Sequence, residues 1–174
     1  LEGGADAVDL YDGHGSGALN FDPGQLPAGT RLVPVAGLHE YLRDASIDAV
    51  FQVGRHPRTG TNDGFIPHTQ NLGLALAIDG RPITECHLLA YSAGVPLLGI
   101  VGDAKLAPQI DGEVAGTPFL ATKRGVSKGD AVPLHADPAA GNAAIHAFAR
   151  ECAANWRERP TPTLPPTFTF SACL

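Results

Sequence analysis

The chain has 174 residues, 44% of them hydrophobic and 17% charged, and a formal net charge of -6. That length suits one domain with a core of useful size, and the composition excludes a disordered chain. The acidic balance argues against a nucleic-acid footprint, and no apolar run reaches the roughly 18 residues needed to span a bilayer.

In chain order, residues 7–11 predict a first strand that runs into Asp12-Gly13-His14-Gly15-Ser16-Gly17. This glycine-rich loop is neither a dinucleotide fingerprint nor a Walker sequence, so the histidine is its more useful feature. Residues 21–29 are turn-rich, and residues 31–35 predict a short strand that Pro34 demotes to an edge. Residues 37–45 carry Leu38, Tyr41 and Leu42 at helical spacing, with His39 on the solvated face.

Residues 49–53 (Ala-Val-Phe-Gln-Val) read as a buried strand of a parallel sheet, halted by Gly54. Arg55 and His56 follow at once, then a loop with Gly60 and Gly64, then His68. Ligands of open α/β sheets bind beyond the carboxyl ends of the strands, so imidazoles at such an end mark a place for chemistry.

Residues 74–78 predict another strand, closed by an Asp79-Gly80 hairpin turn. Thr84 is the expected N-cap of a helix to about Ala93, with Glu85 in its first turn offsetting the helix dipole and Gly94 ending it. Residues 97–101 form a further core strand, leading to Gly102 and Asp103; aspartates in that position mostly satisfy loop amides. Residues 118–122 form the last expected core strand, and the basic residues 123–128 beyond it are expected to be solvated, with holding a carboxylate as the alternative.

Asp137 and Pro138 cap and start a helix to about Trp156, with Ala144, Phe148 and Cys152 as its apolar stripe and His146 without a role. Residues 160–166 are a proline-rich connector, and residues from 168 onward begin a further element. Of the three cysteines, Cys86 and Cys152 are expected in the core; with Cys173 they lack metal-ligand spacing and fit a reduced, cytoplasmic protein. The chain contains no methionine, and both of its ends read as cut.

The expected fold class is therefore α/β, a three-layer domain with a largely parallel sheet, truncated at both ends. The expected division is residues 1–159 as the α/β metal-site domain and residues 160–174 as connector and start of a further element. His14, His56 and Glu85 would lie near one rim, and two imidazoles with a carboxylate suit zinc or a similar divalent ion.

The segments Asp12-Gly13-His14-Gly15-Ser16, Val53-Gly54-Arg55-His56, Gly64-Phe65-Ile66-Pro67-His68-Thr69, Gly80-Arg81-Pro82-Ile83-Thr84-Glu85 and Gly94-Val95-Pro96 through Val101-Gly102-Asp103 occur in one order. In that order the chain resembles the D-aminopeptidase family, the self-compartmentalising, dipeptide-transport-associated zinc peptidases. The resemblance implies that His14, His56 and Glu85 are metal ligands and that His68 is a catalytic histidine beside the metal. It implies zinc as cofactor, with two ions where an acidic Asp-x-Glu strand is supplied from outside this chain. It further implies a metallopeptidase that removes D- or unusual N-terminal residues from short peptides, and a homo-oligomer. The departures are Arg55 in place of an aromatic residue, Leu89 in place of an asparagine, Ala104 in place of a second aspartate and His87 where glycine is common. A non-catalytic relative that keeps the fold for binding or assembly is the alternative reading.

Overall fold

A computed structural model describes residues 2–13, 21–33, 41–42, 47–110, 114 and 116–174. His14 and His39 lie outside the described residues, as does most of the helix expected over residues 37–45.

The main sheet has four strands: β3 (Val50–Arg55), β6 (Leu97–Asp103), β7 (Phe119–Ser127) and β8 (Asp130–Pro133), in the order β3-β6-β7-β8. The first three run parallel and β8 returns antiparallel to β7. Two smaller sheets accompany it. In one, β1 (Val8–Tyr11) pairs parallel with β2 (Thr30–Val33). In the other, β4 (Ala75–Ile78) lies between β5 (Arg81–Pro82) and β9 (Phe170–Cys173), antiparallel to both. The stretch after the proline-rich connector thus pairs with β4.

Three helices lie wholly among the described residues: α1 (Glu85–Ala93), the short α2 (Ala107–Ile110) and α3 (Pro138–Ala154). Side chains alternate across a strand, and this alternation places the helices on opposite faces. Gln52 of β3 donates to the Cys86 carbonyl of α1, and Ile100 of β6 packs with Cys86 and Ala90. Their sequence neighbours face the other way: Phe51 stacks on Phe148 of α3 at 5.8 Å, and a Cβ at Gly99 would meet Cys152 and Phe148. Helix, sheet and helix make three layers, as expected. The core gathers on the α1 side, where Leu97, Ile100, Leu106 and Ile110 are fully buried; each contributes about 1.5–3 kcal/mol.

Local signals explain most element boundaries. Asp79 and Gly80 both take positive φ, 49° and 76°, the requirement of the tight hairpin between β4 and β5. The Asp137 side chain accepts from the Ala140 N–H, and Pro138 occupies the first turn of α3. Cys86 and Cys152 are buried, as expected, and Cys173 is exposed.

Three expectations are corrected. Gly54 does not halt β3. It takes φ 80° inside the strand, and the register moves from Gln52 opposite Ile100 to Arg55 opposite Gly102, so one extra residue bulges out and pairing resumes. Nor is β3 buried throughout: it stands at an edge of its sheet among the described residues, and Val53 is 56% exposed. Finally, β7 does not end at Thr122. It continues through the basic residues to pair with β8, so that Lys123 is half-buried while Arg124 and Lys128 are exposed.

Candidate metal and acid–base site

The carboxyl ends of β3, β6 and β7 and the N-terminus of α1 meet at one rim. His56 follows the last residue of β3, and Glu85 opens α1 behind the cap residue Thr84. That cap is tightened by a residue to which the sequence reading gave no structural part. His87 accepts the Thr84 N–H on Nδ1 at 3.0 Å, the reciprocal bond of a capping box made here by imidazole.

The loop between His56 and His68 doubles back on itself. The His68 N–H donates to the Pro57 carbonyl at 3.1 Å, which brings the two imidazoles to 5.0 Å between ring centroids. Ile66 holds φ 44°, a strained value for a β-branched residue, and is fixed at both ends. Its N–H donates to the Lys128 carbonyl at 2.9 Å, and its own carbonyl accepts from His68 Nδ1 at 2.7 Å. A carbonyl can only accept, so Nδ1 carries the proton and Nε2 of His68 is the basic nitrogen. That nitrogen lies 3.6 Å from Glu85 Oε1.

Glu85 is held from two further sides. Oε1 accepts the Gln70 N–H at 2.8 Å, and Oε2 faces Arg55 Nη1 at 3.4 Å. The Gly54 bulge decides the second contact, because it sets Arg55 on the same face as Gln52 and therefore on the side of α1.

Asp103 ties the loop to the sheet. It is fully buried, and its carboxylate accepts from the N–H groups of Phe65 (3.0 Å), Lys105 (2.9 Å) and Gly125 (3.1 Å). An aspartate satisfying loop amides is what the sequence led us to expect. Gly125 permits the approach: a Cβ there would come within 2.4 Å of the Phe65 nitrogen and the Asp63 carbonyl oxygen. Phe65, so anchored, sits with its ring 6.1 Å from His56 and 4.9 Å from Lys123 Nζ.

Burial above all pushes the His56 pKa down to about 4, with the charges of Lys123 and His68 adding to it. The Phe65 backbone and Glu85 pull the other way, and less strongly. The ring is therefore neutral at ordinary pH, the form that ligates metal, and its Nδ1 is buried without a hydrogen-bond partner among the described residues. Among the described residues, no group of three His, Cys, Asp or Glu side chains is arranged to hold an ion. His56 and Glu85 are consistent with a metal site by their chemistry, and the third expected ligand, His14, lies outside the described residues.

Sequence reasoning missed Phe65, the Arg55–Glu85 contact and the half-burial of Lys123 within β7. Strand alternation carried to residue 125 would have put Lys123 and Gly125 on one face of β7, but the basic run masked the strand's continuation.

These features define a three-layer α/β protein with histidines and a carboxylate gathered at the carboxyl edge of its parallel strands. The chain belongs to the D-aminopeptidase family, whose model matches residues 1–174. It is also similar in structure to the Zn-dependent D-aminopeptidase DppA from Bacillus subtilis, described as a self-compartmentalizing protease. The TM-score is 0.74 at 24% sequence identity, over 94% of this chain and 61% of that one. The chain thus spans less than two thirds of that structure's length. No curated protein matches it. No described helix is long and apolar enough to cross a membrane.

Proposed function

We propose that the protein is a zinc-dependent aminopeptidase acting on short peptides with D- or otherwise unusual N-terminal residues. The observation that carries the reading is the neutral His56, with an unpartnered buried Nδ1, next to His68 and within the same cluster as Glu85. His14, His56 and Glu85 would hold the metal. Zinc bound there supplies Lewis acidity to the scissile carbonyl and to an attacking water.

The remaining work falls to the chain's own groups. With Nδ1–H committed to the Ile66 carbonyl, His68 presents Nε2 as a base that takes a proton from the nucleophile and returns it to the leaving amine. Arg55 offsets the charge of Glu85 and holds one of its oxygens, while the Gln70 N–H holds the other. A cytoplasmic setting suits three free cysteines, and the similarity to a D-aminopeptidase described as self-compartmentalizing supports assembly into a homo-oligomer.

Two substitutions test the assignment. His56→Ala is expected to strip zinc, read by metal analysis after gel filtration. His68→Ala is expected to keep zinc and lower turnover by about 10²–10⁴-fold, the loss of a proton-transfer group. The reverse pattern would exchange the two roles. Full zinc loading without hydrolysis of any short peptide would leave a binding or assembly module.

A further inference from the structure

The cluster contains a cation that the hydrolytic reading does not use. Lys123 extends from β7 next to the loop, half-buried, with its Nζ over the Phe65 ring. Among the described residues its ammonium has neither a hydrogen bond nor an ion pair. The nearest candidate partner is Asp103, its neighbour across β6 and β7, but that carboxylate is occupied by three backbone N–H groups. Burial lowers the Lys123 pKa, and the Asp103 charge only partly opposes it. The other cation of the cluster, Arg55, already faces Glu85. Among the described residues the Lys123 ammonium thus feels the Asp103 charge without touching a carboxylate, and a half-buried ammonium with no direct contact costs free energy.

We propose that Lys123 binds the free α-carboxylate at the C-terminus of a short peptide substrate. The inference rests on the peptidase reading above and extends it to a substrate class: peptides of two or three residues with an unblocked C-terminus. The position of Lys123 is compatible with this role. Lys123 stands one aromatic ring beyond His56, with Phe65 adjoining both. That is the scale of one to two residues of extended chain, roughly 3.5 Å each, the reach needed between a reacting carbonyl and a C-terminal carboxylate. The face of Phe65 supports the ammonium by a cation–π contact and keeps its stem packed until a carboxylate arrives.

The test measures binding as well as activity. The first probe is D-alanylglycine with its scissile amide reduced to CH2–NH, and the second is the same compound as its C-terminal carboxamide. Calorimetry on the zinc-supplied chain is expected to show tighter binding of the free acid. Lys123→Met, which keeps the packed stem, is expected to weaken the acid by roughly 10- to 100-fold, the range of a lost charge-assisted bond, and to leave the amide unchanged. Lys123→Arg is expected to restore the preference for the acid. Equal weakening of both probes, or of neither, overturns the proposal. So does a fall in kcat on dipeptide and dipeptide amide alike at unchanged KM, which would place Lys123 on the reacting carbonyl. The outcomes separate the two readings: hydrolysis without acid preference sinks the Lys123 role and spares the peptidase. Acid preference erased by Lys123→Met, without any hydrolysis, spares the Lys123 role and sinks the peptidase.

Discussion

Replacing Asp103 with asparagine tests how the loop that carries both site histidines is held. The carboxylate is fully buried and accepts three N–H groups, from Lys105 and Gly125 at Oδ1 and from Phe65 at Oδ2. An asparagine placed with its oxygen at the Oδ1 position keeps the first two bonds. Its NH2 then faces the Phe65 N–H, donor against donor, and flipping the amide would strand two N–H groups instead of one. The loss is one charge-assisted bond plus an unsatisfied, partly buried donor, about 2–3 kcal/mol. Asp103→Ala removes all three bonds and is expected to cost about 3–5 kcal/mol. For a chain of this size the asparagine variant corresponds to a Tm lower by roughly 5–10 °C. Urea unfolding of the chelator-treated protein, followed by circular dichroism, should show a lower midpoint at unchanged slope; removing metal keeps binding linkage out of the comparison. Hydrogen exchange should lose protection at the Phe65 amide first. An asparagine variant within ~0.5 kcal/mol of the parent, with that amide still protected, would refute the argument that Asp103 pins the loop.

Further outcomes are expected from the same geometry. In the metal-free chain the His56 pKa lies at about 4 instead of the ordinary 6.5, so between these values the unfolded chain binds more protons than the fold. The His56 contribution is therefore whole above pH 6.5 and shrinks as pH falls toward 4; a urea midpoint flat across that window, or one that falls equally in His56→Ala, contradicts it. Gly125→Ala drives a Cβ to 2.4 Å from the Phe65 nitrogen and 2.7 Å from Asp103 Oδ2, and should cost at least about 1–3 kcal/mol; a thermal melt matching the parent would rule out that crowding. Ile100→Ala, at a fully buried position of β6, should cost about 2–5 kcal/mol by calorimetry without changing which residues bind metal. Light scattering is expected to show an assembly larger than one chain, and a monodisperse monomer would refute the oligomer.

Much of the fold could be read because local chemistry agreed with tertiary need. The Asp79-Gly80 turn, the Thr84 and Asp137 caps, and the apolar runs of β3, β6 and β7 each have a short-range cause. What could not be read had long-range causes. β8 is short and largely exposed, so no apolar run announces it, and its strand character comes from pairing with β7; β9 falls where the alternation from Phe168 to Ser171 reads as strand-like, but its partner β4 lies far along the chain. The half-burial of Lys123 likewise depends on Phe65 being drawn in by Asp103 from a distant part of the chain. At the candidate site the histidines and Glu85 were visible as residue types at strand and helix ends. The bonds that orient them were not, because the Ile66 carbonyl and the Gln70 N–H owe their positions to positive φ values of 44° and 66° in non-glycine residues.

Gly54 shows how one backbone choice reaches the chemistry. In an unbroken strand, Gln52 and Arg55 lie on opposite faces, because they are an odd number of residues apart. Gln52 faces α1, so regular pairing would turn Arg55 toward α3 and away from Glu85. The bulge inserts one residue between the pairs Gln52–Ile100 and Arg55–Gly102, and Arg55 returns to the α1 side. It needs φ 80° at its extra residue, a value that costs other L-residues about 1–2 kcal/mol and glycine almost nothing. The edge position of β3 makes the bulge tolerable, since no strand among the described residues pairs with its outer side. The Arg55 cation is thereby brought to the Glu85 carboxylate, and Lys123 remains as the cation of the cluster that touches no carboxylate among the described residues. Without the bulge Arg55 would turn to the α3 side, and Glu85 would lose the cation that faces its Oε2.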